Sequence, residues 1–261
     1  MNILIIGAGK MGLWISHQLK VDHTVALMDK DGAKLTREKG LTILRNRNEM
    51  AGFQPDLLIN SVSLNATLPV FQKVLPLLPG HTILADMASV KNGLEPFYHQ
   101  CGHRFVSTHP MFGPTFGNLN NLCNEHAIII EESDDTGRRF FENLFAGLNL
   151  NIQLMSFQKH DQRMSGSLSM PFILSLLFAN GMDQKNQPGT TFERHLQIAE
   201  GLLSEDDALL SEVLLNPFTQ EKIKTLQKDL NLLENAIKDA NAQELTGFIQ
   251  QARANLLSDP Q

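Results

Sequence analysis

The sequence predicts an α/β fold with a doubly wound, mostly parallel sheet, followed by an all-α segment. Three observations support this. Short apolar runs alternate with amphipathic helical patterns through roughly the first 155 residues. Nearly every residue in the early runs is apolar, as in strands buried on both faces. After Met155 the strand signal stops and only helical periodicity continues.

The runs are, in order, Ile3–Ile6, Thr24–Met28, Leu57–Val62, Thr82–Asp86, Phe105–Ser107, Ala127–Glu131 and Ile152–Met155. Helical patterns at Leu13–Leu19, Leu64–Leu78 and Thr136–Leu148 lie between some of them. Strand, helix, strand at this spacing calls for crossover connections and therefore parallel pairing. From Gln158 onward the pattern reads as helices alone. Asn216-Pro217 reads as an N-cap followed by proline at the first helical position. Beyond it, Ile223, Leu226, Leu230, Leu233 and Ile237 recur at spacings of three and four and form an apolar seam. Asn241 with Glu244 three residues on reads as a capping box for a last helix carrying Leu245, Phe248, Ile249, Ala252 and Leu256. Such seams serve as core or as subunit interface. Neither an internal repeat nor a low-complexity linker interrupts the chain, so a short junction near residue 155 is expected.

Composition narrows the function. Hydrophobic residues make up 42% and charged residues 19% of the 261, the balance of a soluble globular protein. A formal charge of −6 offers no basic footprint for nucleic acid or for an anionic membrane. Cys101 and Cys123 are too far apart for a paired motif and read as free thiols in a reducing cytoplasm. Met1-Asn2 leads straight into an apolar strand without a basic leader, which also points to the cytoplasm. Met164–Met182 is uncharged and close to membrane-spanning length. Its serines, Gly166, Pro171, Asn180 and Gly181 break the apolar run, so a helix buried at the centre of a helical domain is expected.

The first strand ends in IIGAGKMG, where Gly7, Gly9 and Gly12 form GxGxxG with Lys10 and Met11 inside it. Following a strand and opening a helix, this is the context of a dinucleotide site in a Rossmann-type domain. Gly7 permits the tight turn, Gly9 the approach of a pyrophosphate, and Gly12 the close packing of helix on strand. The next strand ends at Asp29, whose carboxylate suits the ribose hydroxyls of NAD and repels a 2′-phosphate. Lys30 follows immediately and works against this preference, because it could offer such a phosphate a partner. Ser61 and Val62 follow a later strand, where such folds line the nicotinamide side of the crevice. The expected domains are thus 1–155, binding NAD, and 156–261, all-helical.

Ser89 and Lys91, in LADMASVKNG, follow another strand's carboxyl end, the edge at which open α/β sheets bind ligands. His109, in STHPMFGP, lies just beyond the end of the next run. Two prolines follow it, and each fixes its own φ and restricts the residue before it, so a rigid, non-helical loop presenting one imidazole is expected. Proton-transferring groups gathered above a nicotinamide suit hydride removal from a carbon bearing a hydroxyl, with histidine taking the proton.

DMASVKNG, then THPMFGPTFGNLNN, then KHDQRMSGSLSMPF, in this order after the glycine motif, resemble the prephenate dehydrogenase family, and most closely the type fused to chorismate mutase. The resemblance spans essentially the entire chain, and a chain without a fused mutase segment is expected. It implies NAD-dependent oxidative decarboxylation of prephenate or arogenate in tyrosine biosynthesis, by a homodimer of interlocked helical domains. It implies that His109 hydrogen-bonds the ring hydroxyl, that Ser89 orients histidine and hydroxyl, and that Lys91 belongs to the active site. It also draws in Gly113, Thr115 (where relatives often carry an acid) and the His160-Asp161 pair. Two positions depart from the family pattern: Phe172 stands where many members have histidine, and Gly201 where an arginine meets a substrate carboxylate. Arg163 and Arg194 are the candidate replacements for that arginine. Alternative readings are a related cyclohexadienyl acid as substrate, such as an amino-substituted prephenate, or a catalytically quiet NAD-binding dimeric protein. No metal site is expected.

Overall fold

The computed structural model describes residues 1–35, 40–113, 121–183 and 189–257. The first part is a Rossmann-type sheet. Strands β1 (Asn2–Ile6), β2 (Thr24–Met28), β3 (Thr42–Ile43), β4 (Leu57–Asn60), β5 (Ile83–Asp86), β6 (Phe105–Pro110), β7 (His126–Ile130) and β8 (Asn151–Met155) stand in the order β3-β2-β1-β4-β5-β6-β7-β8. Pairing is parallel except between β6 and β7. The chain reverses its winding between β1 and β4, and that switch point opens a crevice at the carboxyl ends of the strands.

Two apolar layers hold the sheet. On one face, Ile3, Ile5 and Ile129 pack with Trp14 and Leu19 of helix α1 (Lys10–Leu19) and with Phe141 and Phe145 of a later helix, Asp135–Gly147. On the other, Leu4, Leu58 and Ile128 pack with Phe71, Tyr98, Phe157 and Met164. The strands are therefore covered on both sides, which is why they read as continuous apolar runs. Helices α2 (Arg47–Phe53), α3 (Leu64–Val74), α4 (Leu94–Gln100) and α5 (Asp135–Gly147) complete this part.

Two details of the sheet differ from the sequence reading. The two-residue β3 lies outside the seven apolar runs because it is too short to show a pattern. More consequentially, His109 is not in a loop. β6 continues through Pro110, with His109 opposite Ile128 and Pro110 opposite Ala127 in the antiparallel ladder. The imidazole is thus held by sheet pairing, and Pro110, at the strand's last residue, does not break the pairing.

From Phe157 the described chain is helical: α6 (Phe157–Met164), a π-turn at Ser165–Ser169, α7 (Met170–Gly181), α8 (Thr190–Leu203), α9 (Asp207–Leu214), α10 (Thr219–Lys238) and α11 (Ala242–Leu257). Residues 157–181 form one continuous helix, long and apolar enough to cross a membrane. Its first turns bury Phe157, His160, Asp161 and Met164 against the sheet. Farther along it is less covered than expected. Only 28% of its most apolar stretch is buried, and Leu177 is 61% exposed. Phe172 joins Leu210 and Val213 in a small separate core.

The strands end at Met155, as expected, but the compact unit does not. Met1–Pro217 forms one unit and Phe218–Gln261 a second, because helices α6 to α9 pack with the sheet-bearing part. The expected cap at Asn216 is displaced: the cap of α10 is Phe218, and Asn216 Nδ2 instead donates to the Asp161 carbonyl at 2.9 Å. At α11 the expected cap is present, the Glu244 amide donating to Asn241 Oδ1 at 3.1 Å.

Candidate active site

The glycine loop sits at the switch point. Gly7 has φ +107°, and a side chain there would collide with the Ser61 carbonyl oxygen at 2.5 Å. A Cβ on Gly12 would strike the Gly7 carbonyl, so β1, α1 and the turn after β4 approach as closely as only glycine allows. Nothing lies within 4 Å of the side-chain position of Gly9, which faces open space. Lys10 is exposed at the start of α1, Met11 packs partly into the core, and the α1 N-terminal amides face the same edge. Asp29 follows β2; its Oδ2 accepts the Ala8 amide at 2.6 Å and its Oδ1 the Asp31 amide at 2.8 Å. Lys30 is exposed, Ser61 is half-buried, and Val62 packs partly against the second core.

Because β6 is parallel to β1, β4 and β5, its carboxyl end brings His109 to the same edge. Alternation along the strand puts Phe105, Ser107 and His109 on the face that α6 covers. There His109 Nδ1 meets His160 Nε2 at 3.0 Å, and His160 Nδ1 meets Asp161 Oδ1 at 2.8 Å. The Lys91 amide donates to the same Asp161 oxygen at 2.9 Å. All are buried: His160 is 0% exposed and His109 7%. Among the described residues nothing bonds the outer nitrogen of His109, Nε2.

Lys91 is where the structure departs most from expectation. Its ammonium turns inward, donating to Asp86 Oδ1 at 2.6 Å and to the Thr108 carbonyl at 2.7 Å, and the side chain is 1% exposed. Tyr98 donates to the other Asp86 oxygen at 2.7 Å. Lys91 therefore braces the two strand ends beneath His109 and does not face the crevice. Asp86 and Tyr98 were missed as partners; an aspartate at a strand end, five residues before a lysine, was the available sign. Ser89 is half-buried, and among the described residues no hydrogen bond joins it to His109.

Burial sets the charge of this cluster, since it penalises whichever form is ionised. The imidazole of His109 is held well below its ordinary pKa by burial, then by His160 and the Lys91 ammonium. Burial, then Lys91, pushes His160 down to about 3. Asp161 is raised to about 6 by burial, against the opposing pull of the Lys91 amide and charge. Burial lowers Lys91 while Asp86 opposes it, and burial with Asp86 raises Tyr98, which stays protonated.

The expected substrate contacts are only partly assembled. Gly113 follows the end of β6, half-buried, and Thr115 lies outside the described residues. Arg163 on α6 and Arg194 on α8 are both exposed, and neither is part of the buried cluster. Phe172 is packed into its own core. Glu212 is a contributor that sequence reasoning missed. From α9 its carboxylate accepts the Leu64 and Asn65 amides at 2.9 and 2.7 Å, capping α3 beside Ser61 and Val62.

Comparison with known proteins agrees with this architecture. A probable arogenate/prephenate dehydrogenase of Methanocaldococcus jannaschii is 20% identical over 98% of this chain, which spans 61% of that protein's length. The fold matches that of the prephenate dehydrogenase from Aquifex aeolicus solved with hydroxyphenyl propionate and NAD+, with TM-score 0.84 and 17% identity over 98% of this chain and 97% of that one. The Synechocystis arogenate dehydrogenase superposes with TM-score 0.76 and 16% identity, 98% of each chain being covered. The sequence pattern described as prephenate dehydrogenase, nucleotide-binding domain, matches residues 15–150, a stretch that contains Asp29, Ser61, Ser89, Lys91 and His109. With more than half its length inside that pattern, the chain belongs to the prephenate dehydrogenase family.

Proposed function

We propose that this protein is an NAD-dependent dehydrogenase that oxidatively decarboxylates prephenate or arogenate on the route to tyrosine, as a soluble homodimer joined through its helical segments. The observation that carries the reading is His109 at the carboxyl edge shared with the glycine loop, its Nδ1 held from behind and its Nε2 bonded by nothing among the described residues. The A. aeolicus relative, solved with NAD+ and a hydroxyphenyl acid, supports the same ligand classes here.

The residues present suit the dinucleotide. Open space at Gly9 admits a pyrophosphate, and the α1 amides donate to it. Asp29 spends one acceptor site per oxygen on backbone amides and keeps others for ribose hydroxyls. Its charge favours NAD over NADP. When bound, the cofactor supplies the acceptor for the electron pair leaving the substrate C4–H bond. The rest falls to the chain. His109 Nε2 takes the hydroxyl proton as that pair departs, and returns it to the phenolic oxygen once carbon dioxide has left and the ring is aromatic. Ser89, whose hydroxyl has no hydrogen-bond partner among the described residues, would hydrogen-bond the substrate oxygen. Lys91 acts from below, by holding β5 and β6 together.

A second reading keeps the chemistry and changes the substrate. Phe172 lies in an apolar core and Arg163 and Arg194 are exposed, which favours a related cyclohexadienyl acid, such as an amino-substituted prephenate. Following NADH absorbance with the purified chain on prephenate, arogenate and that analogue tests both. Turnover on one of the first two is expected. Turnover on the analogue alone selects the second reading, and tight NAD binding without turnover on any of the three overturns the dehydrogenase. In the active enzyme, His109→Asn should lower kcat by roughly 10²–10⁴-fold and leave NAD affinity nearly intact.

A further inference from the structure

Asp161 Oδ1 is the meeting point of two donors. The Lys91 amide can only donate, at 2.9 Å, and it fixes that oxygen as an acceptor. His160 Nδ1, 2.8 Å from the same oxygen, must then carry a hydrogen. Burial keeps His160 neutral, so it holds one ring hydrogen and its Nε2 is a bare acceptor. His109 Nδ1, 3.0 Å from that lone pair, must in turn be the donor. A neutral imidazole with hydrogen on Nδ1 has none on Nε2.

We infer that His160 and Asp161 are positioning residues that lock His109 as its Nδ1–H tautomer, so that its lone pair, and not a hydrogen, faces the substrate hydroxyl. The opposite tautomer would point the lone pairs of His109 Nδ1 and His160 Nε2 at each other across 3.0 Å in a buried site, where an unmade hydrogen bond is costly. It would also offer the substrate a donor where oxidation needs an acceptor. The chain of contacts begins at a backbone amide and passes through Asp161 and two rings. It is anchored again by Asn216, which donates to the Asp161 carbonyl at 2.9 Å. Lys91 thus serves twice, its amide orienting Asp161 and its ammonium bracing Asp86 and Thr108. The catalytic meaning of the lock rests on the role of His109 proposed above, whereas the tautomer itself does not.

The test is long-range ¹H–¹⁵N NMR of the full chain labelled at histidine nitrogen, with NAD present, above pH 7. His109 is assigned by the signal lost in His109→Asn. A protonated Nδ1 and bare Nε2 are expected in the wild-type protein, in Asp161→Asn as well, because the amide oxygen still accepts from Lys91 and His160, and in neither Asp161→Ala nor His160→Gln. Those last two should show mixed tautomers and lose roughly 10–10²-fold in kcat with little change in the KM for NAD. A hydrogen on Nε2 of His109 in the wild type overturns the inference. So does an unchanged tautomer with unchanged kcat in both Asp161→Ala and His160→Gln. Because the spectrum needs no turnover, failure of the dehydrogenase reading would be seen separately, as a locked tautomer in an inactive protein.

Discussion

Burial acts on His109 and His160 in one direction and on Asp161 in the other, and the sign of each shift determines how pH affects stability. His160 is pushed from 6.5 to about 3, so between those values the unfolded chain binds the extra proton and stability falls as pH drops. Asp161, raised from 3.8 to about 6, works oppositely: its contribution is fully present below 3.8 and is lost as pH rises through about 6. His109 is also depressed, so both histidines act against the aspartate in this range. Between pH 7 and pH 4 the urea midpoint of the wild-type chain should therefore fall more steeply than that of His160→Gln, which lacks the group that gains a proton only on unfolding. An equal slope in the two proteins would remove His160 from the acid response. At this scale the sequence was partly legible. His109 and Ser89 stood out by their places at strand ends. The inward turn of Lys91 did not, because a lysine shows its partner only once strand packing has brought Asp86 and Thr108 beside it.

Helix α3 shows how elements are fixed from a distance. Ser63 stands at its N-cap, yet its side chain makes no capping bond to the helix amides, and Ser63 Oγ turns instead to Asn65 Oδ1. The cap is supplied by Glu212, 148 residues from Leu64, with both carboxylate oxygens on α3 amides. A negative charge on those amides also complements the helix dipole. Glu212→Ala should cost about 1–2 kcal/mol, read as a lower urea midpoint at pH 7, and Glu212→Gln should recover part of the loss. A neutral result in Glu212→Ala would mean that solvent replaces the carboxylate without penalty. Local caps, by contrast, were legible: Asn241 with Glu244 forms as read, because both partners lie within one turn. Strand β6 was legible as a run only to Ser107. Its last three residues end in Pro110, a turn-favouring residue in the sequence, and only pairing with β7 makes them strand.

At the scale of the whole molecule, the unit Phe218–Gln261 poses the clearest physical problem. It consists of two helices, α10 and α11, on which Leu230 is 64% and Ile237 65% exposed. Two helices bury too little surface to leave such a seam in water, and the homodimer proposed above would cover it. Light scattering on the wild-type chain should give twice the 29.1 kDa chain mass, and Leu230→Glu with Ile237→Glu should give a monomer or an unfolded helical unit. A wild-type monomer at micromolar concentration would count against the dimer. The seam's spacing was legible, since periodicity needs only the helix itself. Its exposure was not.

By itself, the sequence determined the features carried by near neighbours: apolar strands, the glycine turn with Asp29 after the second strand, helical seams, and the motifs that mark the family. Tertiary structure alone decided which way buried polar groups face. Whether Lys91 meets a ligand or Asp86, whether His109 rests in a loop or a ladder, and which of its nitrogens is held by His160 all depend on residues 5 to 51 positions apart. Those contacts exist only after the sheet and α6 have packed, because unpaired polar groups enter a buried site only when their partners arrive with them.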